Sequence, residues 1–178
     1  DELEAWVQQQ QVALCEIPAP PFKEQARGQA YRRLFEQLGL RNVRVDGVGN
    51  VLGERPGAGA APHLVFSAHL DTVFPEGTDV SVTRRGSRLA GPGIADDCRG
   101  LAVLLGVVKA LQEAKVSTPG RITFVGTVGE EGLGDLRGVK QLFGPQGPGR
   151  IDRFVSVDGA GLEITNGGVG SKRYRVRF

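Results

Sequence analysis

Seven residues of this chain have the types and spacing to share one piece of chemistry: His69, Asp71, Asp96, Asp97, Glu130, Glu131 and Asp158. Imidazole nitrogen and carboxylate oxygen are the usual ligands of a catalytic divalent metal, and a further carboxylate beside such a metal can act as general base. His69 and Asp71 lie two apart, so extended geometry points them to one side, where Asp71 can accept a hydrogen bond from the ring nitrogen not on a metal. Glu130 and Glu131 are adjacent and diverge, which lets one hold metal while the other reaches a bound water. Five or more carboxylates gathered together repel one another and raise their own pKa values unless a cation neutralises them.

Each piece taken alone has an ordinary explanation. A His-x-Asp at a strand end is most often a solvated turn, paired acids are usual at helix starts, and Asp-Gly is a common turn. Their conjunction is more specific, because all of them fall at the same place relative to the elements around them.

Those elements alternate. Leu3, Trp6, Val7, Leu14 and Ile17 recur at near-helical spacing up to Pro18-Ala19-Pro20-Pro21, where proline excludes helix. A second helix is predicted over Lys23–Leu38, ending at Gly39, a residue suited to a left-handed cap. Asn42–Val45 and Asn50–Glu54 read as adjacent strands, Leu64–Ala68 as a central strand, and Val80–Arg84 with Ser87–Ala90 as a small hairpin. Arg99–Gln112 is a helix apolar over most of its surface, Arg121–Val128 a second central strand, Leu136–Phe143 a short helix and Phe154–Val157 a third strand. This order predicts an α/β fold, a mostly parallel central sheet with helices on both faces. His69 and Asp71, Glu130 and Glu131, and Asp158 follow three of the strands, and Asp96 and Asp97 precede the apolar helix. In open α/β sheets that carboxyl edge is where ligands bind.

The 178 residues, 40% of them apolar, suffice for a buried core. A net charge of +2 gives no field that implies nucleic acid or an anionic membrane, so a small molecule is the expected partner. The longest apolar runs are far shorter than the roughly 20 residues that span a bilayer. Two cysteines, Cys15 and Cys98, form no scaffold pattern, which favours a reducing, cytoplasmic setting. The chain begins at Asp1 and contains no Met, as a processed or excised piece would. His63 is expected at the surface, Cys98 in a small buried apolar place, and Glu76, Asp79 and Asp135 in loops.

Ser67-Ala68-His69-Leu70-Asp71-Thr72-Val73, Gly91-Pro92-Gly93-Ile94-Ala95-Asp96-Asp97, Gly129-Glu130-Glu131-Gly132 and Val157-Asp158-Gly159 together resemble the cocatalytic two-zinc metallopeptidases, a family that includes peptidase T, glutamate carboxypeptidase, carnosine dipeptidase and aminoacylase. The resemblance extends across essentially the whole chain. It implies a zinc-dependent hydrolase of peptide bonds, with His69 and Asp158 ligands of one zinc, Asp96 bridging, Glu131 on the other zinc, Glu130 as general base and Asp71 behind His69. It also implies a cis Asp96–Asp97 peptide. Aspartate at 158 accompanies aminopeptidases and di- or tripeptidases in the family, whereas glutamate accompanies carboxypeptidases and N-acyl amino acid deacylases. The expected substrate is therefore a small peptide, with an acylated amino acid as the alternative and a non-catalytic metal-binding module as the competing non-enzyme reading.

Three departures from the family pattern stand out. Cys98 and Arg99 follow the acidic pair where relatives carry lysine two residues after the bridging aspartate. A last zinc ligand, a histidine, comes from far downstream in relatives, and no such residue occurs before Phe178. Relatives also insert a lid or dimerisation domain after the Asp158 region. Residues 1–170 are accordingly expected to form the N-terminal part of the catalytic domain, and 171–178 the first strand of a lid through which the protein could form a homodimer. By itself the chain is expected to be inactive and to hold one zinc on His69, Asp96 and Asp158.

Overall fold

A computed structural model describes residues 2–159, 161–168, 170, 172, 174, 176 and 177. The amphipathic segments become helices α1 (Glu2–Cys15), α2 (Gln25–Gln37), α3 (Cys98–Glu113) and α4 (Arg137–Leu142). The apolar and β-branched runs become strands β1 (Arg41–Val45), β2 (Val51–Arg55), β3 (Leu64–His69), β4 (Thr83–Arg85), β5 (Arg88–Ala90), β6 (Ile122–Thr127) and β7 (Arg153–Ser156). Gly39 takes the positive φ expected after α2.

Strands β1, β2, β6, β3 and β7 make one sheet in that order, and β4 pairs with β5 in a separate hairpin. β3 lies parallel to both β6 and β7, while β2 runs antiparallel to its neighbours β1 and β6. Four of the five strands therefore point one way, the mostly parallel sheet that the element order predicts. The hairpin is narrower than expected: β4 starts at Thr83, because only Thr83–Arg85 finds partners in Arg88–Ala90 across the turn at Gly86.

The strand period of two divides the core between two faces. Val51, Phe66, Ala68 and Phe124 face one layer with Leu14 of α1, Tyr31 and Phe35 of α2, and Leu101, Leu104, Leu105 and Val108 of α3. Leu52, Val65 and Val125 face the other, against Leu142 of α4, Ile151 and Phe154. The residues of β6 are buried on both sides, as a strand between two helical layers requires. Helix α3 is the inner helix, contacting β3 and α1. Among the described residues, no helix is long and apolar enough to cross a membrane.

His63 corrects the sequence reading. It is buried, with its ring nitrogens near the Arg150 carbonyl at 2.9 Å and Thr123 Oγ1 at 2.8 Å, and its main-chain N–H donates to Asp152 Oδ2 at 2.8 Å. The partners lie some 60 to 90 positions away in sequence, so this histidine is covered only when β6 and the segment leading into β7 fold against it. Cys98 is buried at the start of α3 as expected. The expected strand over 171–178 rests on a run of which 171, 173, 175 and 178 lie outside the described residues.

Candidate metal centre

His69 ends β3 at the carboxyl edge of the sheet and is 3% exposed. Its ring Nδ1 lies 2.8 Å from the main-chain carbonyl of Asp71, which fixes that nitrogen as the N–H donor. The other nitrogen, Nε2, then faces the acids: it is 2.9 Å from Asp96 Oδ1 and 4.0 Å from Asp158 Oδ2. A proton shared with Asp96, or a cation in its place, satisfies this arrangement.

Asp71 supports His69 by a different route from the one expected. Its carboxylate stands 3.8 Å from Nδ1, beyond hydrogen-bond range, and receives instead the main-chain N–H groups of Glu130 at 3.1 Å and Glu131 at 2.9 Å. The strand ends at His69, so Asp71 lies past the reach of strict alternation. Its main-chain carbonyl meets the imidazole while its carboxylate turns toward the loop after β6. Fully buried, that carboxylate needs donors, and two backbone N–H groups supply them.

The Asp96–Asp97 peptide is cis, as the resemblance implies. The two side chains separate. Asp96 is largely exposed toward the acidic cluster. Asp97 is buried and caps α3, taking the Gly100 N–H on Oδ1 at 3.1 Å and the His69 N–H on Oδ2 at 2.8 Å. One carboxylate thus ties the end of β3 to the start of α3. The sequence places Asp97 with Asp96 at the start of the apolar helix, and α3 begins there; its role at the junction depends on a contact 28 residues distant.

Two groups of ligand atoms fall within 4.8 Å of one another: His69 with Asp96 and Glu131, and His69 with Asp97 and Asp158. The structure therefore brings all four expected ligands, His69, Asp96, Glu131 and Asp158, around one imidazole. It associates Glu131 with the His69–Asp96 pair, whereas the expected grouping put Asp158 there. Both oxygens of Asp97 already serve main-chain donors, so its position in the second group is that of a frame.

The electrostatics carry the mark of crowding. Burial and the charge of Asp158 push the Asp97 carboxyl up to about 8, against the pull of His69 and the bonded N–H groups. Burial raises Glu130, reinforced by Asp158, Asp71 and Asp96, and it raises Glu131 with the charges of Asp96 and Glu130. For His69 burial works the other way, but the charges of Asp97, Asp71, Asp158 and Asp96 outweigh it and hold the ring above its usual value. A cluster of acids that keeps protons in this way is one a dication would relieve. Its donor set of one imidazole and several carboxylates suits zinc, so the residues present fit that metal.

Arg27, which the sequence reading passed over, is fully buried behind this edge. Its guanidinium donates to the carbonyls of Ile17 (2.7 and 3.0 Å), Leu70 (2.7 Å) and Cys15 (3.3 Å). Pro18, Pro20 and Pro21 have no N–H to offer the carbonyls left over at the end of α1, and Arg27 supplies the donors. A proline run directly after a helix was the available signal. Through Leu70, the residue between His69 and Asp71, Arg27 also fixes the backbone of the site.

Residues 65–177 match the model of Peptidase family M20/M25/M40. Carboxypeptidase G2 of Pseudomonas sp. (strain RS-16) is 34% identical over 113 residues, covering 60% of this chain and 27% of that protein. A tripeptidase from Staphylococcus aureus subsp. aureus Mu50 superposes with a TM-score of 0.72 at 25% identity, over 89% of this chain and 44% of its own. Aminoacylhistidine dipeptidase from Vibrio alginolyticus gives 0.64 at 25% identity, over 87% and 33%. The chain thus spans less than half the length of each of these relatives. With the match to the family model running through all of the acidic edge from His69 to Asp158, the chain belongs to peptidase family M20/M25/M40, a family of hydrolases acting on peptide bonds.

Proposed function

We propose that the protein carrying this chain is a zinc-dependent exopeptidase of aminopeptidase or di/tripeptidase type, and that His69, Asp96, Glu131 and Asp158 are the metal ligands supplied here. The observation that supports this reading best is the convergence of His69 Nε2, Asp96 and Glu131 within 4.8 Å, with Glu130 next in the chain and its backbone fixed on Asp71. Bound zinc would polarise the scissile carbonyl and acidify an attacking water. Glu130, beside the ligand Glu131 and with its main-chain N–H held by Asp71, is suited to take a proton from that water and deliver it to the leaving amine. Asp71 sets the direction of both Glu130 and Glu131 by holding their N–H groups, and its carbonyl keeps the imidazole proton on Nδ1.

Aspartate at 158 and the likeness to a tripeptidase favour a free-amine substrate. The sequence match to carboxypeptidase G2 favours a second reading, a carboxypeptidase or N-acyl amino acid deacylase on the same site. We further propose that a final histidine ligand and a lid, through which two copies could pair, come from beyond residue 178, so that 1–178 alone binds one zinc and is inactive. The intact protein is to be assayed on di- and tripeptides and on N-blocked amino acids, with and without chelator. Chelator-sensitive cleavage of free-amine peptides supports the first reading, cleavage confined to N-blocked substrates supports the second, and chelator-insensitive cleavage contradicts both.

A further inference from the structure

Behind the loop that carries Glu130 and Glu131 stands a second charged device that the chemistry described above does not use. Glu24, at the N-terminus of α2, is 3% exposed, and its Oε1 accepts the Phe22 N–H at 3.0 Å and Arg137 Nη2 at 2.7 Å. Arg137 begins α4, at the far end of the same loop. Its guanidinium lies 4.6 Å from the centroid of the Phe22 ring and packs on Gly129 so closely that a Cβ there would sit 2.0 Å from Nη1. Gly129 also has a φ of +65°, which a side chain would strain.

The backbone of Gly129-Glu130-Glu131 is thereby gripped from two sides. Asp71 receives the N–H groups of the two glutamates, and Arg137 covers the glycine before them. Asn50 closes the base of the loop by accepting the Val128 N–H at 3.0 Å and donating to the Gly138 carbonyl at 2.9 Å. Arg137 Nη1 is buried with no hydrogen-bond partner among the described residues. A largely buried ion pair of this kind adds little net stability compared with an apolar pair, but it admits one geometry only.

We propose that Glu24 and Arg137 are positioning residues, which hold Gly129 and through it set the directions of the Glu130 and Glu131 carboxylates. This inference rests on the roles given to those two glutamates above. A displacement of about 1 Å at a reacting group can cost on the order of a hundredfold in rate, so the pair acts on turnover from outside the acidic cluster.

The test uses the intact protein with saturating zinc, measuring kcat, KM, zinc affinity and thermal stability for R137M, R137K, E24L, E24Q and G129A, with E130Q alongside. The expected result is a kcat roughly ten- to a hundredfold lower in R137M and E24L, with KM within about twofold of the parent, well below the melting temperature. E24Q keeps an acceptor oxygen in place and should recover most of the loss that E24L shows. R137K should not rescue, because an ammonium lacks the flat fork that covers the glycine. G129A brings a Cβ against the Arg137 guanidinium and strains the positive φ of the loop, so it should reproduce the kcat loss. If R137M does not fold, E24L against E24Q decides the matter, and parental kcat in E24L would then overturn the proposal. A lowered melting temperature with parental kcat in R137M and G129A would overturn the proposal. Full activity in E130Q would instead overturn the roles of the glutamates on which it rests.

Discussion

The buried carboxylate of Asp71 receives the main-chain N–H of Glu131 at 2.9 Å, and with its other oxygen that of Glu130 at 3.1 Å. The end of β3 and the loop after β6 are thus joined by one side chain. In D71N the amide keeps a single acceptor oxygen and turns an N–H₂ toward the second donor. The expected cost is about 1–3 kcal/mol of stability for the unsatisfied buried group, with weaker zinc binding besides. Urea unfolding and zinc titration of the same variant check both effects.

The acidic edge makes the stability of the zinc-free chain fall as pH rises. Asp97 takes up its proton below about 8 when folded, but only below its usual 3.8 when unfolded, so between these values the folded state binds the extra proton. Glu130 and Glu131, also raised, act in the same sense. His69 adds stability that is complete below 6.5 and is lost as pH rises through its higher folded value. Melting temperature in chelator should therefore decline from about pH 5 to about pH 8, and saturating zinc should reverse most of the decline. In D97N the decline should be shallower from a lower starting point, since asparagine would present an amide donor to the His69 or the Gly100 N–H.

Arg27 should be costly to remove. R27M leaves the carbonyls of Cys15, Ile17 and Leu70 without their donor, at about 1–3 kcal/mol for each that water cannot reach. A loss of at least about 3 kcal/mol in denaturant unfolding is expected, accompanied by weaker zinc binding because Leu70 lies between His69 and Asp71. A variant that loses stability but binds zinc as the parent does would separate the two roles.

Zinc should bind with release of protons, since the clustered acids and His69 hold protons that a dication displaces. Calorimetry in buffers of different ionisation enthalpy should show proton release that diminishes toward high pH. H69A should abolish binding, because both groups of ligand atoms include His69.

The order of the elements was legible in the sequence because periodicity is local. β3 and β6 are short apolar runs between turn residues, and α3 is apolar on most of its surface, so each declares itself within its own span. The candidate ligands were legible for a related reason: His69, Asp96, Glu131 and Asp158 all sit at element ends, and the topology gathers those ends at one edge. What could not be read was how side chains share partners across that edge. Asp71 meets Glu130 and Glu131 some 60 residues away, His63 is buried by residues near 150, and Glu24 reaches Arg137 across 113 positions. In each case a polar side chain with an ordinary local reading is turned inward by a donor or acceptor that only the folded chain supplies.

The proposed chemistry turns on Glu130 moving the proton at a zinc site built on His69. The most direct measurement compares peptide turnover and zinc content in a single preparation of the intact E130Q protein. Turnover is expected to fall by about 10²–10⁴-fold, the usual contribution of a general base, with zinc content unchanged. Turnover near the parental rate with zinc still bound would contradict it.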